Sequence, residues 1–564
     1  MTKLPPIGSK IVLIFGLALL VIYGLSITVS PPFYVITTWL GPLTNVLFDV
    51  GLGGVVFLFV MSYYRGLASD SAGIFLVSVF AMIISTYDIV SPSFVVNTFP
   101  ASYFSPSAPS GTVLVGAFGV PQTYLAWPTI HFLVMFLGSV LNGSPTPGFI
   151  EWYAKIGSLL WVELVVLIGW CFSKFVGVSR ENRMLMSILV VLSLWIPYQE
   201  FVSAPQAIGY LFYAFVLLSV LILERNTRGR NMNGILVLEL FAIATAMTHV
   251  YTSAWVGIFI LVYYVIVKKR GGIAIMAGAG ILVWTLYVFA SPYSSTVSSF
   301  ISQLSLQTLF EADYLTKLSP VVSSASLASQ VVDRSRILFL LLIVLFLGFS
   351  AGRHLRSIRN WFASPTTGVL TTSLIVSFGM FVLVTYGTET FERVYFFAAL
   401  PAIALGFYFY PRKPRIPKSI LVFFFFALLL FFPARYGQLS FEGAGPPEVN
   451  GYSFLATRTP TSTYMLADFP EIWMLNSSFV GSPIWPQEDV LTPNQVPTLP
   501  PGSLICESVS EHNRLEYLFS KDIVQNWVVS NKLTLNRYFD NGFLTVYATT
   551  GRVSASELSN ISKT

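Results

Sequence analysis

Two cysteines and four histidines stand in a chain of 564 residues. Cys171 lies in an apolar run and Cys506 far downstream in a polar one, so the sequence offers no disulfide framework. His131, His249, His354 and His512 are scattered, and neither Cys-x-x-Cys nor His-Glu-x-x-His occurs, which argues against a structural metal site. Charge is scarce too: 10% of the residues are Asp, Glu, Lys or Arg, where a soluble chain carries about 25%. No repeat of fixed period and no low-complexity tract is present.

What fills the space is apolar. Hydrophobic residues make up 54% of the chain, 48 of them Phe, and the mean hydropathy is +0.71. A water-facing globule cannot hide that much apolar surface, so much of it faces lipid. The formal charge of +6 would suit nucleic acid only if the cations were free to meet it. They have a topological task instead, and no nucleic-acid partner is expected.

A bilayer crossing needs about twenty mostly apolar residues. Thirteen segments qualify: 11–30, 43–63, 72–90, 150–173, 184–201, 207–223, 234–250, 252–267, 273–290, 336–352, 368–386, 394–410 and 419–434. The first follows Lys3 and Lys10 and lacks a small-residue cleavage site, so it reads as an uncleaved span. Trp127 to Leu141 is short for a crossing and reads as a re-entrant or interfacial helix.

With the N-terminus cytoplasmic, the inner loops hold Arg65; Lys174, Arg180 and Arg183; Arg225, Arg228 and Arg230; Lys268, Lys269 and Arg270; Arg353, Arg356 and Arg359; and Arg412, Lys413, Arg415 and Lys418. The outer loops are poor in cations, with Lys317, Arg334, Arg336 and Arg393 as exceptions. That is the positive-inside pattern. The Asn-x-Ser/Thr sequons at Asn142, Asn476 and Asn560 fall outside in the same arrangement. The sequence therefore predicts an all-α polytopic membrane domain over 1–435 in the plasma membrane, and a small extracytoplasmic α/β domain over 436–564. In the latter, Leu504 to Cys506 reads as a strand, Glu511 to Ser520 as a short helix, and Arg537 to Ala548 as a hairpin about Asp540-Asn541-Gly542, whose turn needs positive φ angles.

Ionisable groups at membrane depth or at its outer face are the informative ones, because burying them is costly. Near the outer boundary stand Asp88, His131, Glu200, His249, Glu389, Glu392 and Arg393, with Trp127 beside His131. A carboxylate there could take a proton from an acceptor hydroxyl, and a guanidinium fork matches phosphate. The plainer alternative is that span ends carry charge because the headgroup region is wet. A second set, Asp49, Glu163 and Glu239, falls inside spans and would suit a proton or ion path in a secondary transporter, or carboxyls kept neutral by burial.

Four stretches carry a resemblance. Tyr124 to Leu133, with Trp127-Pro128 and His131 and then Asn142-Gly143, is similar to the Tyr-x-x-Trp-Pro-x-x-His segment of archaeal multi-span proteins in the GT-C glycosyltransferase superfamily. Thr248 to Ser253 resembles their Thr-His-x-x-Thr-Ser element, Glu392-Arg393 before Pro401 their late Glu-Arg…Pro segment, and Tyr538 to Tyr547 the close of their outer domain. The resemblance implies a GT-C-like enzyme that transfers a sugar from a polyprenyl (dolichyl) phosphate to an acceptor outside. Asp88 would then be the base, with Glu200 the fallback; Arg393 and His249 would hold the donor phosphate, and His131, Trp127, Glu389 and Glu392 would line the cavity. It leaves room for a divalent cation. The first loop, Pro31 to Leu40, lacks the family's early acidic pair, which leaves open a non-catalytic scaffold for surface-glycan assembly. The Trp-Trp-Asp-Tyr-Gly motif of the oligosaccharyltransferase catalytic subunit is absent.

Overall fold

The computed structural model describes residues 6–29, 43, 45–87, 96–97, 147–194, 205–225, 232–290, 327–352, 361–362, 364–383, 390–410 and 418–437. Beyond these it describes 443–444, 447–448, 451, 465–466, 504–509, 512, 535–542 and 544–549. Among them are thirteen α-helices: α1 (Ser9–Thr28), α2 (Val46–Arg65), α3 (Asp70–Ser85), α4 (Pro147–Val176), α5 (Arg180–Ser193), α6 (Pro205–Arg225), α7 (Met232–Ala246), α8 (Val250–Leu261), α9 (Gly271–Ala290), α10 (Leu327–Ala351), α11 (Pro365–Leu383), α12 (Thr390–Phe409) and α13 (Lys418–Tyr436). Each coincides with one of the thirteen apolar segments. A π-helical turn, Val262–Val267, extends α8. By length and composition, Ser9–Thr28, Val46–Arg65, Leu159–Val176 and Gln206–Arg225 suffice to cross a membrane.

Helices α2 and α3 start where side chains satisfy their free amides. Asn45 accepts from the amides of Leu47 and Phe48 at the head of α2, and Ser69 accepts from that of Ala72 at the head of α3. Inside the helices, hydroxyls turn back on the carbonyl four residues earlier: Thr86 on Met82 (2.7 Å), Thr245 on Phe241 (2.7 Å) and Thr285 on Ile281 (2.7 Å). In hydrocarbon such a bond keeps a hydroxyl satisfied without water. The outward faces are bare of polar cover; Ile14, Phe15, Ile275 and Phe349 are exposed. Such a surface belongs in lipid.

Contacts between helix ends sort the bundle into two faces. At one end the backbone of Ile7 pairs with Gly66 and Ala68. There Asp70 meets Lys174, Arg180 and Arg183 at 3.3, 2.9 and 3.2 Å. Glu224 meets Lys268 and Arg270 at 3.8 and 3.2 Å, and Arg225 reaches the Phe175 carbonyl and the Thr366 hydroxyl. Trp361, just before α11, packs on Phe409 at the end of α12. The sequence's basic clusters that lie among the described residues gather at this basic end.

The opposite end holds the close of α3. Tyr23 and Thr86 share a hydrogen bond of 2.8 Å. Asn45 donates to the Ser26 carbonyl and to the Tyr87 hydroxyl, and Tyr436, the last residue of α13, donates to the Ile84 carbonyl at 2.7 Å. Beyond those ends β1 (Val96–Asn97) pairs antiparallel with β2 (Gly443–Ala444). The chain leaving α3 and the chain leaving α13 are thereby joined at one face.

The remaining strands, β3 (Met465–Leu466), β4 (Leu504–Ser508), β5 (Leu535–Asp540) and β6 (Leu544–Thr549), form one sheet in the order β3-β4-β6-β5. The expected strand and hairpin are both present. The turn differs from expectation in that Gly542 alone takes a positive φ (82°) among the described residues of the turn. Asp540 Oδ1 accepts from the Gly542 amide and Asn541 Oδ1 from that of Leu544, so side chains brace what a second left-handed residue would have done. Asn541 also donates to the Pro447 carbonyl, tying the hairpin to the segment that follows α13. Trp127 to Leu141, the three sequons and all of Glu511 to Ser520 except His512 lie outside the described residues.

Candidate functional site

The opposite end is where the sequence's candidates were expected to gather. His249 is described in full. It is the residue before α8, in extended backbone, half-buried, with Nδ1 3.1 Å from the Thr252 hydroxyl. Gly209 on α6 allows this: a Cβ there would stand 2.9 Å from Thr252 Oγ1 and 3.4 Å from His249 Cβ. The Thr-His-x-x-Thr-Ser stretch is thus a helix start seated against the first turns of α6, with the hydroxyl three residues on orienting the ring.

Glu392 and Arg393 occupy the first turn of α12. One turn further, Phe396 packs edge-on against Tyr210 of α6 at 4.3 Å, so α6 is flanked by the starts of both α8 and α12. Trp161 of α4 donates to the Ala207 carbonyl at 3.1 Å and closes the other side of α6. From α12 the contacts run on: Tyr395 meets Phe339 of α10. Arg336 of α10 donates to the Ala434 carbonyl of α13, and Tyr436 reaches Ile84 near the end of α3. Through packed side chains the starts of α6, α8, α10 and α12 and the ends of α3 and α13 share one face. Asp88, His131, Trp127, Glu200 and Glu389 lie outside the described residues, although Asp88 directly follows Tyr87 and Glu389 directly precedes α12.

Sequence reasoning passed over three charged residues of this end. Arg336 is 5% exposed, Arg435 1% and Glu448 0%. Arg435 lies against the Tyr436 ring at 5.0 Å. A signal existed for the first: Arg336 was one of the few cations on the side that the positive-inside pattern leaves neutral. Arg336, Arg435 and Glu448 thus place buried charge of both signs at this end, in a poorly solvated setting where charge acts over longer distances than in water.

The intramembrane carboxylates do not read as one path. Glu163 accepts from the Ser78 hydroxyl at 2.7 Å across the α3–α4 contact. Asp49 lies within the second apolar helix as expected, in the first turn of α2, and is exposed. The Asn45 cap starts that helix later than the apolar run does, and a carboxylate suits a helix N-terminus. Glu239 is partly exposed on α7. Among the described residues no three of His, Cys, Asp and Glu gather to hold a metal ion.

Comparison with solved structures shows what this bundle of helices, with an added sheet after the last, is similar to in fold. The oligosaccharyltransferase of Archaeoglobus fulgidus, crystallised with a tethered acceptor peptide that contains an NVT sequon, is similar over 85% of this chain and 74% of its own. The TM-score is 0.50 and the identity 10%. The same organism's oligosaccharyltransferase AglB, in complex with an inhibitory peptide and a dolichol-phosphate, is similar over 85% and 74%, with a TM-score of 0.49 and 9% identity. At such identities the likeness is one of fold. No family model matches the sequence, and no curated protein matches it significantly.

Proposed function

We propose that this chain is a membrane glycosyltransferase that moves a sugar from a polyprenyl (dolichyl) phosphate to an acceptor on the outer side. The observation that carries the reading is the meeting, on one face, of the His249 helix start, the Glu392-Arg393 turn and the end of α3 that leads into Asp88. The GT-C-like fold supports it by analogy, since a fold hosts many activities and the site must decide.

In this reading the basic end faces the cytoplasm and the opposite end the exterior. Residues 1–435 form the membrane domain, with each of the thirteen helices a span, and 436–564 the outer domain. The lysines and arginines of the basic end support this orientation. Arg393 holds the donor phosphate with its fork, and His249, oriented by Thr252, donates a further hydrogen bond to it. Asp88 takes the proton of the acceptor hydroxyl, with Glu200 as the other candidate base; His131, Trp127, Glu389 and Glu392 line the cavity. As the acceptor oxygen bonds to the sugar carbon, the carbon–oxygen bond to phosphate breaks, and the polyprenyl phosphate leaves with the bonding pair.

Transfer from a polyprenyl-phosphate-linked sugar by the reconstituted protein tests the proposal. Alanine at Asp88, or at Glu200, is expected to abolish transfer while the folded protein persists. Full transfer by both variants would remove both bases.

A further inference from the structure

We infer that Tyr213 is a positioning residue for the first turn of α12, an inference that rests on reading that turn as the donor-phosphate site. The starting point is Pro401, which lies inside α12. Proline has no N–H, so the carbonyl four residues earlier, that of Phe397, loses its helical partner, and the ring bends the helix away from it. In hydrocarbon no water takes over, and a neighbouring helix must. The Tyr213 hydroxyl of α6 donates to that very carbonyl oxygen at 2.7 Å.

The bond sits in a built environment. Tyr213 is fully buried, and its hydroxyl also lies 3.3 Å from Ser373 Oγ of α11. Ser377 donates to the Ser373 carbonyl at 3.0 Å and accepts from Trp255 Nε1 of α8 at 3.1 Å. The Tyr213 ring meets Trp255 at 4.4 Å and Phe397 at 5.2 Å, both edge-on, while Trp255 stacks on Phe397 at 5.4 Å. Four helices, α6, α8, α11 and α12, are locked at one level by this cluster.

Two of those helices carry the site. His249 is six residues before Trp255, about 9 Å along α8, and Arg393 four before Phe397, about 6 Å along α12. A helix freed at its proline can settle at more than one angle, and a small change at the bend swings the turn beyond it. Tyr213 selects one angle by giving the orphaned carbonyl a donor, and in doing so sets the spacing between the His249 ring and the Arg393 turn. Tyr213 touches no substrate; it acts through α12.

The test compares full-length protein in lipid nanodiscs with Tyr213→Phe, Pro401→Ala and the double variant. Two quantities are read: amide hydrogen exchange over residues 390–400, and affinity for a polyprenyl phosphate. Tyr213→Phe keeps the ring and removes the hydroxyl, so exchange there is expected to quicken by about tenfold and the Kd to rise by a similar factor, with kcat at saturating donor unchanged. Pro401→Ala returns an N–H to the Phe397 carbonyl. In that background, Tyr213→Phe is expected to change either quantity by less than about twofold, since the bond it removes is no longer needed. An equal penalty in both backgrounds, or unaltered exchange in Tyr213→Phe, overturns the assignment. Exchange that follows the expected cycle, in protein that binds no polyprenyl phosphate at all, upholds the positioning of α12 and overturns the donor reading.

Discussion

The two ends of the bundle spend charge in different ways. At the basic end several cations lie open to solvent, the side chains of Lys174, Arg180 and Arg270 being 49, 41 and 58% exposed, although the Glu224 side chain is 5% exposed. At the opposite end Arg336 and Arg435 are all but buried. Exposed pairs contribute about 0–1 kcal/mol each, so the basic clusters matter for which side of the membrane they mark. Guanidinium groups taken out of water are costly to keep there. Here they are held by packed partners, Arg336 by the Ala434 carbonyl and Arg435 against the Tyr436 ring.

That contrast can be broken from either end. The largest effect is expected at Asp88: Asp88→Asn should lower transfer by about 10² to 10⁴-fold, the usual worth of a general base. Asp70→Asn at the basic end should leave transfer within about twofold of wild type. Similar losses in both, measured at saturating donor, would erase the distinction.

Next comes His249→Ala, expected to raise the donor KM by about tenfold, as loss of one hydrogen bond to a charged phosphate would. Thr252→Val should reproduce a fraction of that shift, because it removes only the group that orients the ring. A smaller effect is expected at Glu163→Gln. It keeps an acceptor for Ser78 and should leave transfer unchanged, with Tm lowered by no more than a few degrees. Loss of ion flux in that variant, with transfer never present, would favour a transporter.

Asp70 provides the finest discrimination, through pH. Burial raises its pKa, but the hydrogen bond from Lys174 and the charges of Arg183 and Lys174 outweigh burial, and the carboxyl ends below its ordinary value of 3.8. A depressed folded pKa gives stability that is fully present above the unfolded value and disappears as pH falls through the folded one. Acid unfolding below about pH 3.8 should therefore be less steep in Asp70→Asn than in wild type. Equal steepness would show that the cluster is not stabilising.

The bundle was legible because each of its thirteen helices is an apolar run, and the pairing of ends because lysine and arginine sort by side. The place of His249 at a helix boundary was legible too, from the end of one apolar run and the start of the next. What escaped depends on contacts between distant residues. Arg435 reads as the edge of a polar tail until α13 is seen to carry it into the packed end. Asp49 falls within an apolar run, but only the Asn45 cap shows that it stands in the first turn of α2. Pro401 was seen as part of a motif, but the hydroxyl that answers it comes from Tyr213, on a helix that no local pattern links to α12. The hairpin turn was placed correctly, yet its side-chain bracing by Asp540 and Asn541 is a matter of geometry that the residue names leave open.

The most direct measurement of the central claim is the affinity of full-length protein for a polyprenyl phosphate, compared between Arg393→Ala and Arg225→Ala. Losing a charge-assisted fork on phosphate at the opposite end should weaken binding by about 10 to 100-fold, while the basic-end variant should bind as wild type does. Unchanged affinity in Arg393→Ala, or an equal loss in Arg225→Ala, would contradict the account.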